Sequence, residues 1–243
     1  MKLIINADDF GLSKSITDGI IEGIKEKYIT STTIMVNMNY AEYAIKKALE
    51  NNINCIGLHI NLTVGKPIIK NKNIIDSEGI FLYNKFQIEN EKLTYQDAYN
   101  EIMAQIEKVK ELSNGMINVD HLDSHHGLCK NVNIRQAIID IANKLNIPIR
   151  KEQSINGNEV KCPNVYYNSF SIKNISIDKL KEMVDEYKNQ DIIVELLSHP
   201  GYVDEYTKTI TSCLTREEEL NVLKKAKVDG VFNNVELINF SNF

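Results

Sequence analysis

Four of the five histidines of this chain lie at or near the ends of predicted strands, together with several carboxylates. The stretch NADDFGLS, residues 6–13, places Asp8 and Asp9 shortly after the apolar run LII. Adjacent like charges at the carboxyl end of a buried strand repel each other and cost stability. A bound cation, or different chemical tasks for the two carboxylates, would explain their presence. A solvated turn that begins a helix would also accommodate the pair, and the residues alone leave both interpretations open.

Other polar residues follow, or lie late in, further predicted strands: His59, Asp123, His125, His126, Arg150, Glu195 and His199. The carboxyl ends of parallel strands in an α/β barrel meet at one face, and catalytic residues lie there. One carboxylate and two imidazoles at that face would bind Zn²⁺ or another divalent cation and leave positions for water and substrate. The cation would lower the pKa of a water molecule, and the second aspartate could then act as general base.

Each of these residues also has a purely structural explanation. His59 in GLHIN is typical of a partly buried histidine with a hydrogen-bond partner. The segment DSHH suits a turn in which Asp123 and Ser124 bond their own backbone. Glu195, in an apolar strand, needs a partner for its buried carboxylate. The functional interpretation therefore depends on the fold bringing these residues together.

Short β-rich runs alternate with amphipathic helices along the chain. The predicted strands are KLIIN (2–6), STTIMVN (31–37), INCIGLHI (53–60), MINVDHLDSHH (116–126), IPIR (147–150), NVYYNSF (164–170), DIIVELLSHPG (191–201) and a last one around VELINF. This alternation predicts an α/β fold with a (β/α) barrel-like architecture, a TIM-barrel-related parallel sheet that is closed or nearly closed. We expect one domain over residues 1–243, with an insertion near residues 61–92 that lacks a sustained helical period.

Two helix starts carry recognisable signals. Ser15-x-x-Asp18 resembles a capping box before the first helix, and Thr94-x-x-Asp97 predicts the start of the helix after the insertion. Within the first helix, Ile16, Ile20 and Ile24 are spaced by four residues, which is typical of one buried face.

Composition excludes several classes of function. A formal net charge of −5 and a pI near 5.6 argue against nucleic acid as a partner. No apolar run approaches the roughly 18 residues that a membrane helix needs. The four cysteines are far apart and form no CxxC pair, so we expect reduced thiols and a cytoplasmic protein. The sequence leaves open whether the chain forms a homodimer.

Four motifs, in this order, resemble the YdjC-like carbohydrate deacetylase family, which includes the chito-oligosaccharide deacetylases: NADDFGLS, GLHINLTVGKPI, HLDSHH and LLSHPG. The stretches TSTTIMVN (30–37) and TREEEL (215–220) are similar to the same family. The resemblance spans nearly the whole chain. It implies a barrel-like fold, one divalent metal ion, Mg²⁺ or Zn²⁺, and hydrolysis of the N-acetyl group of an acetylated amino sugar.

The resemblance also assigns residues by position. Asp9, His59 and His125 match the metal ligands, and Asp8 takes the position of the general base. The family usually continues DSHH with further histidines, whereas this chain has Gly127 and Cys129 there. That departure bears on substrate preference.

The implied reaction needs further groups. An amine leaves poorly unless it is protonated, and His199 is the candidate general acid. Arg150 is expected to orient a catalytic carboxylate, and Glu195 to brace His199 or another imidazole. Phe81 and Tyr83, in the insertion, offer aromatic faces to a sugar ring, although packing within the loop explains them equally well.

Two other functions compete with a deacetylase. A metal-dependent phosphoesterase would use a similar carboxylate and imidazole site, but it would need a second metal or a cationic clamp for the phosphate. A catalytically silent sugar- or metal-binding protein could retain the same scaffold. The presence of Asp8 argues against the silent protein, because binding alone needs no spare base.

Overall fold

A parallel β-sheet forms the centre of the computed structural model, which describes residues 1–82, 84, 93–154, 159–170, 174–211 and 213–243. Its strands within this part of the chain are β1 (Lys2–Phe10), β2 (Ser31–Ile34), β3 (Ile56–Ile60), β4 (Leu122–Ser124), β5 (Val165–Tyr167), β6 (Ile193–Ser198) and β7 (Glu236–Leu237). The strand order is β4-β3-β2-β1-β6-β5, and the short β7 pairs with the start of β1. All of these pairings are parallel.

Helices follow the strands and cover the outside of the curved sheet. They are α1 (Lys14–Lys25), α2 (Ala41–Glu50), α3 (Tyr95–Leu112), α4 (Val132–Leu145), α5 (Ile177–Tyr187), α6 (Glu205–Ile210) and α7 (Arg216–Val228). No helix in the described ranges is both long and apolar enough to cross a membrane.

The predicted barrel-like α/β fold is confirmed. Beyond β4 the sheet is extended by a single parallel bridge between Leu122 and Ile149. The backbone N–H of Ile149 then donates to the carbonyl of Lys161 at 2.9 Å, and Lys161 precedes β5. The predicted strand IPIR is therefore reduced to one bridge. Its position between β4 and the segment before β5 brings the two edges of the sheet towards each other.

Burial explains the central position of β1. Every residue from Leu3 to Phe10 is buried, and β1 pairs with β2 and β6. A central strand of a parallel sheet is covered on both faces, so a continuous apolar run such as LII suits it. The strand is longer than predicted, since it continues through Asp8 and Asp9 instead of ending at Asn6.

The two helix starts have different outcomes. Thr94 caps α3 as predicted, because its side chain accepts a hydrogen bond from the backbone N–H of Asp97. The cap of α1 is Ser13, which accepts from the N–H of Ile16 at 3.1 Å, and the prediction of Ser15 was wrong. The hydroxyl of Ser15 instead lies 2.6 Å from that of Thr207.

The described part of the 61–92 insertion contains no helix and packs against α3. The backbone N–H groups of Ile68 and Ile69 donate to the two carboxylate oxygens of Glu101, at 2.9 and 3.0 Å. Glu101 is fully buried, and Gln105 donates to it at 2.9 Å. A buried carboxylate that accepts hydrogen bonds from a loop holds that loop to the helix, because leaving it unpaired would be costly.

Close contact between α1 and the loop after β6 yields a prediction about stability. A Cβ atom added to Gly201 would lie 2.9 Å from the Cα of Ile16, so the two backbones would have to separate. We expect Gly201→Ala to lower the free energy of unfolding by about 1–3 kcal/mol, as overpacking does. Urea denaturation measures this change. The control is Val132→Ala at a position that is 72% exposed, where a change within about 0.5 kcal/mol is expected. An unchanged midpoint for Gly201→Ala would contradict the close packing.

Candidate active site

An irregular backbone at the end of β1 turns two adjacent carboxylates towards one cavity. The pairing of β1 with β2 shifts between Ala7 and Phe10, and Asp9 has a φ of 69°, in the left-handed region. Neighbouring side chains of a regular strand point to opposite faces, so this irregularity lets Asp8 and Asp9 line the same pocket. Both are 2% exposed. A non-glycine residue with positive φ is strained, and such strain is typical of functional sites.

The pocket has a volume of about 270 Å³ and lies at the carboxyl ends of the strands. The candidate residues that line it are Asp8, Asp9, His59, His125, His126, Arg150 and His199. The fold therefore brings together most of the residues singled out by the sequence, as expected for strand ends in a parallel barrel.

Three of these residues form a compact group. Oδ1 of Asp9 lies 3.3 Å from Nε2 of His59 and 3.2 Å from Nδ1 of His125, and these two nitrogens are 3.3 Å apart. Ligands that lie about 2.0–2.1 Å from a tetrahedral ion are separated by about 3.3 Å. Oδ1 of Asp9 is buried and has no well-aligned hydrogen bond among the described residues. The donor atoms therefore fit a divalent cation.

A carboxylate behind His59 sets the orientation of its ring. Oδ1 of Asp123 lies 2.7 Å from Nδ1 of His59, which leaves Nε2 facing Asp9. Such outer partners fix the tautomer of a ligating histidine. Burial lowers the pKa of His59, but Asp123 and Asp8 outweigh this effect and raise it to about 10. A cation that binds at Nε2 must therefore displace the proton that the ring would otherwise hold there.

A second arrangement of ligand atoms, from Asp8, His59 and Asp123, is also close enough to hold an ion. Both of its carboxylates are already paired with Arg150, whose Nη2 lies 2.8 Å from Asp8 and from Asp123. A guanidinium between the two carboxylates opposes a second cation there. We therefore favour the group of Asp9, His59 and His125.

Asp8 is held by a buried guanidinium. Nη1 and Nη2 of Arg150 donate to its two oxygens, each at 2.8 Å, and Asn6 donates to Oδ1 at 2.9 Å. Burial raises the pKa of Asp8, but the charges of Arg150 and His59 outweigh it, and the net pKa is far below its usual range. These contacts hold Asp8 in one position and favour its ionised form, and Arg150 lies against a carboxylate, while its part in catalysis stays a prediction.

Glu195 does not take the expected position beside an imidazole. Its Oε1 accepts from Nε of Arg150 at 2.7 Å, in the middle of β6. The expected brace of His199 is thus corrected: Glu195 supports Arg150, which supports Asp8. Asp8, Asp123 and Glu195 all contact this guanidinium, whose positive charge offsets part of their buried negative charge.

The far wall of the pocket comes from the start of α7. Nη2 of Arg216 donates to Oδ2 of Asp9 at 2.5 Å, and Oε2 of Glu219 accepts from the backbone N–H of His199, also at 2.5 Å. Burial lowers the pKa of His199, while Asp8 and Asp9 act in the opposite direction. Burial raises the pKa of Glu219 to about 7.

Arg216 and Glu219 were not among the predicted site residues. TREEEL was noted only as a family-like stretch, although an arginine and a glutamate one turn apart at a helix start were the available signal. Both side chains are almost fully buried, at 1% and 0% exposed, which is rare for charged residues without a partner.

Of the two predicted sugar-contacting aromatics, the one that the structure describes is not brought into the site. Phe81 is 6% exposed, belongs to the hydrophobic core and is absent from the described lining of the pocket. Tyr83 lies outside the described residues. The aromatic residue that does line the pocket is Tyr166 of β5, whose ring centre is 5.2 Å from Cζ of Arg150. Of the two departures after DSHH, Gly127 lines the pocket, whereas Cys129 is buried outside its described lining.

A family model described as "YdjC-like protein" matches residues 2–234. The chain belongs to the YdjC-like family. This confirms the resemblance drawn from the four motifs.

Relatives of this YdjC-like chain include two proteins named carbohydrate deacetylase. The one from Clostridium beijerinckii is 37% identical over 250 residues, covering 100% of both chains. The one from Listeria monocytogenes serotype 4a is 30% identical and covers 99% of both.

Solved structures agree with the fold. A protein from Enterococcus faecalis, described as a "putative cellobiose-phosphate cleavage protein", superposes with a TM-score of 0.89 at 29% identity, covering 99% of this chain and 98% of its own. A peptidoglycan deacetylase from Bacillus subtilis gives a TM-score of 0.54 at 10% identity, covering 99% and 88%, which shows a shared fold alone.

The Asp123–His59 pair leads to a prediction about cation affinity. Asp123→Asn removes the charged acceptor behind His59, so we expect Zn²⁺ affinity to fall about 10- to 100-fold. Titration calorimetry on metal-free protein measures it. Asp120→Asn is a matched control, since Asp120 lies 2.6 Å from the ring of His121 but outside the pocket lining. Equal affinity in the Asp123→Asn variant and the unaltered protein would rule out the assigned support.

Proposed function

We propose that this YdjC-like chain is a metal-dependent carbohydrate N-deacetylase that removes acetyl groups from acetylated amino sugars such as chito-oligosaccharides. The observation that carries the proposal is that the adjacent carboxylates of Asp8 and Asp9 have different partners. Asp9 faces two imidazole nitrogens at 3.2–3.3 Å, whereas Asp8 is held by Arg150 beside them. The full-length relatives named carbohydrate deacetylase support the same class of reaction.

Asp9, His59 and His125 would hold the divalent cation. When bound, the cation supplies Lewis acidity, which acidifies a water molecule and stabilises negative charge on the acetamide oxygen. His59 presents Nε2 to this position because Asp123 occupies its Nδ1 side. The set of one carboxylate and two imidazoles suits Zn²⁺ and other divalent ions, and the ion itself stays a prediction.

Asp8 would accept the proton from the attacking water. The bidentate contact with Arg150 and the bond from Asn6 keep its carboxylate in one orientation. Its lowered pKa keeps it ionised throughout the neutral range. A base that is already ionised and immobile loses little entropy when the reaction begins.

His199 would protonate the departing amine. Burial lowers the pKa of its ring, so the protonated form gives up its proton readily, although only a fraction of the molecules carries it. The nearby carboxylates Asp8 and Asp9 stabilise that cationic form. The backbone contact between His199 and Glu219 holds the segment that carries the ring.

The geometry gives less support to a phosphoesterase. The two guanidiniums in the described lining of the pocket, Arg150 and Arg216, are bonded to Asp8 and Asp9. A phosphate clamp needs cationic donors that are free to contact the phosphate oxygens. The Enterococcus faecalis relative is named for cleavage of cellobiose phosphate, so the release of phosphate is tested in parallel.

The first test is acetate release from diacetylchitobiose and related N-acetylated sugars. We expect activity to be lost with a chelator and restored by Mg²⁺, Mn²⁺ or Zn²⁺, because Asp9, His59 and His125 can act only with a bound cation. Phosphate release from a phosphorylated disaccharide is measured alongside. Metal-loaded protein that releases phosphate but no acetate would replace the proposal with the phosphoesterase.

A second test separates the base from the metal ligands. We expect Asp8→Asn to lower acetate release about 10²- to 10⁴-fold while the bound metal per chain is unchanged, because Asp8 is not a ligand. Metal content and circular dichroism are measured on the same samples. The control is Asp18→Asn, which removes a carboxylate bonded to Tyr43 and absent from the pocket lining. Undiminished turnover by Asp8→Asn would exclude Asp8 as the base. Metal-loaded unaltered protein that releases neither acetate nor phosphate would instead favour the silent-scaffold interpretation.

A further inference from the structure

A second cluster of potential ligands lies at the wall of the same pocket, which two of its three members line, apart from Asp9, His59 and His125. It consists of His199, Cys213 and Glu219, and one ligand atom from each lies within 4.8 Å of the other two. His199 follows β6, Cys213 precedes α7, and Glu219 belongs to α7. Three separate segments therefore bring an imidazole, a thiol and a carboxylate together.

Glu219 has an unused oxygen. The residue is fully buried, and its Oε2 accepts from the backbone N–H of His199. Its Oε1 is buried as well and has no hydrogen-bond partner among the described residues. An unpaired buried carboxylate oxygen is costly, so this atom favours a cation as its partner.

The donor types select the kind of cation. Thiolate and imidazole ligands favour Zn²⁺, whereas Mg²⁺ prefers oxygen ligands and retains its water. Asp9 and Asp8 add negative charge from β1, and Arg216 opposes it from α7. Because Arg216 is bonded to Asp9 at 2.5 Å, its positive charge is partly neutralised.

We propose that His199, Cys213 and Glu219 form a second, zinc-selective site whose occupation stops the reaction. Binding forms a zinc–sulfur bond at Sγ of Cys213 and releases the thiol proton to solvent, with no change of oxidation state. Zinc bound to the ring of His199 takes the nitrogen that the general acid needs. The inhibition rests on the proposed function, whereas the binding does not.

Binding is tested with metal-free protein, its Cys213→Ser variant and the matched control Cys55→Ser. Cys55 is partly buried like Cys213 but donates to Asp120, outside this pocket. We expect two Zn²⁺ per chain in the unaltered protein and in Cys55→Ser, and one in Cys213→Ser. With Co²⁺ as probe, a thiolate charge-transfer band is expected in the near ultraviolet. It should persist in His125→Ala, which lacks a ligand of the first site, and vanish in Cys213→Ser.

Turnover provides the second readout. With Mg²⁺ or limiting Zn²⁺ in the first site, Cys213→Ser should match the unaltered protein. Excess Zn²⁺ should then lower acetate release about tenfold or more in the unaltered protein and in Cys55→Ser. It should not do so in Cys213→Ser, because the loss of one ligand lowers the zinc affinity of the site by about tenfold or more. Excess Mg²⁺ should inhibit none of them.

Several results would overturn the second site. One Zn²⁺ per chain in the unaltered protein, a charge-transfer band that persists in Cys213→Ser, or equal zinc inhibition with and without Cys213 would each do so. If no amino sugar releases acetate, the cobalt spectrum and the zinc stoichiometry still decide whether this site exists. In that case the absence of turnover counts against the proposed deacetylase alone.

Discussion

Two adjacent carboxylates must stay charged in a buried place, and the rest of the site follows from this constraint. Asp8 and Asp9 are each 2% exposed, and mutual repulsion and burial both favour protonation. The structure meets the constraint by giving each carboxylate its own guanidinium: Arg150 binds Asp8, and Arg216 binds Asp9. Because the two arginines approach from different segments, they also hold the two carboxylates in different environments.

That separation suits the two tasks proposed for the aspartates. Asp8 accepts three hydrogen bonds from Arg150 and Asn6, so both of its oxygens are held. Asp9 uses only Oδ2 for Arg216, and its Oδ1 remains directed at the imidazoles of His59 and His125. One aspartate is thereby held in place as the proposed base requires, and the other keeps an oxygen directed at the imidazoles, as the proposed ligand role requires. Removing either arginine would leave an uncompensated buried charge, which is strongly destabilising.

Periodicity and strand ends predicted the part of this arrangement that depends on the regular fold. Alternating β-rich and amphipathic segments imply a parallel sheet, and a parallel sheet places His59, His125 and His199 at one face. The motif NADDFGLS then supplied the carboxylates. These predictions succeeded because they use only the direction of the strands and not the details of side-chain packing.

Details that depend on tertiary contacts could not be predicted in the same way. The left-handed backbone at Asp9 arises from the irregular pairing of β1 with β2, which no local pattern reveals. Ser13 and Ser15 are both good caps, and the hydroxyls of both lie close to that of Thr207. The extended backbone at Ser13, which lets its side chain accept from the N–H of Ile16, is what makes it the cap. For Phe81 the sequence left packing within the loop and contact with a sugar equally open, and only the tertiary structure shows its burial in the core.

The start of α7 was the most consequential omission. Acidic residues are usual in the first turn of a helix, where they complement its dipole and remain solvated, so REEE suggested an ordinary helix start. Glu217 and Glu218 are indeed exposed, whereas Arg216 and Glu219 are buried.

Charge balance links α7 to the chemistry. Two buried guanidiniums, those of Arg150 and Arg216, lie at the described pocket. Five buried carboxyl groups lie around them: Asp8, Asp9, Asp123, Glu195 and Glu219. Burial raises the pKa of Glu219 to about 7, and nearby carboxylates raise that of His59 to about 10 despite its burial. Protons therefore offset part of the excess negative charge in the absence of a cation. A divalent ion would offset the same charge and also position a substrate. An excess of buried carboxylates is costly for folding alone, and it therefore suits the proposed metal-dependent hydrolase.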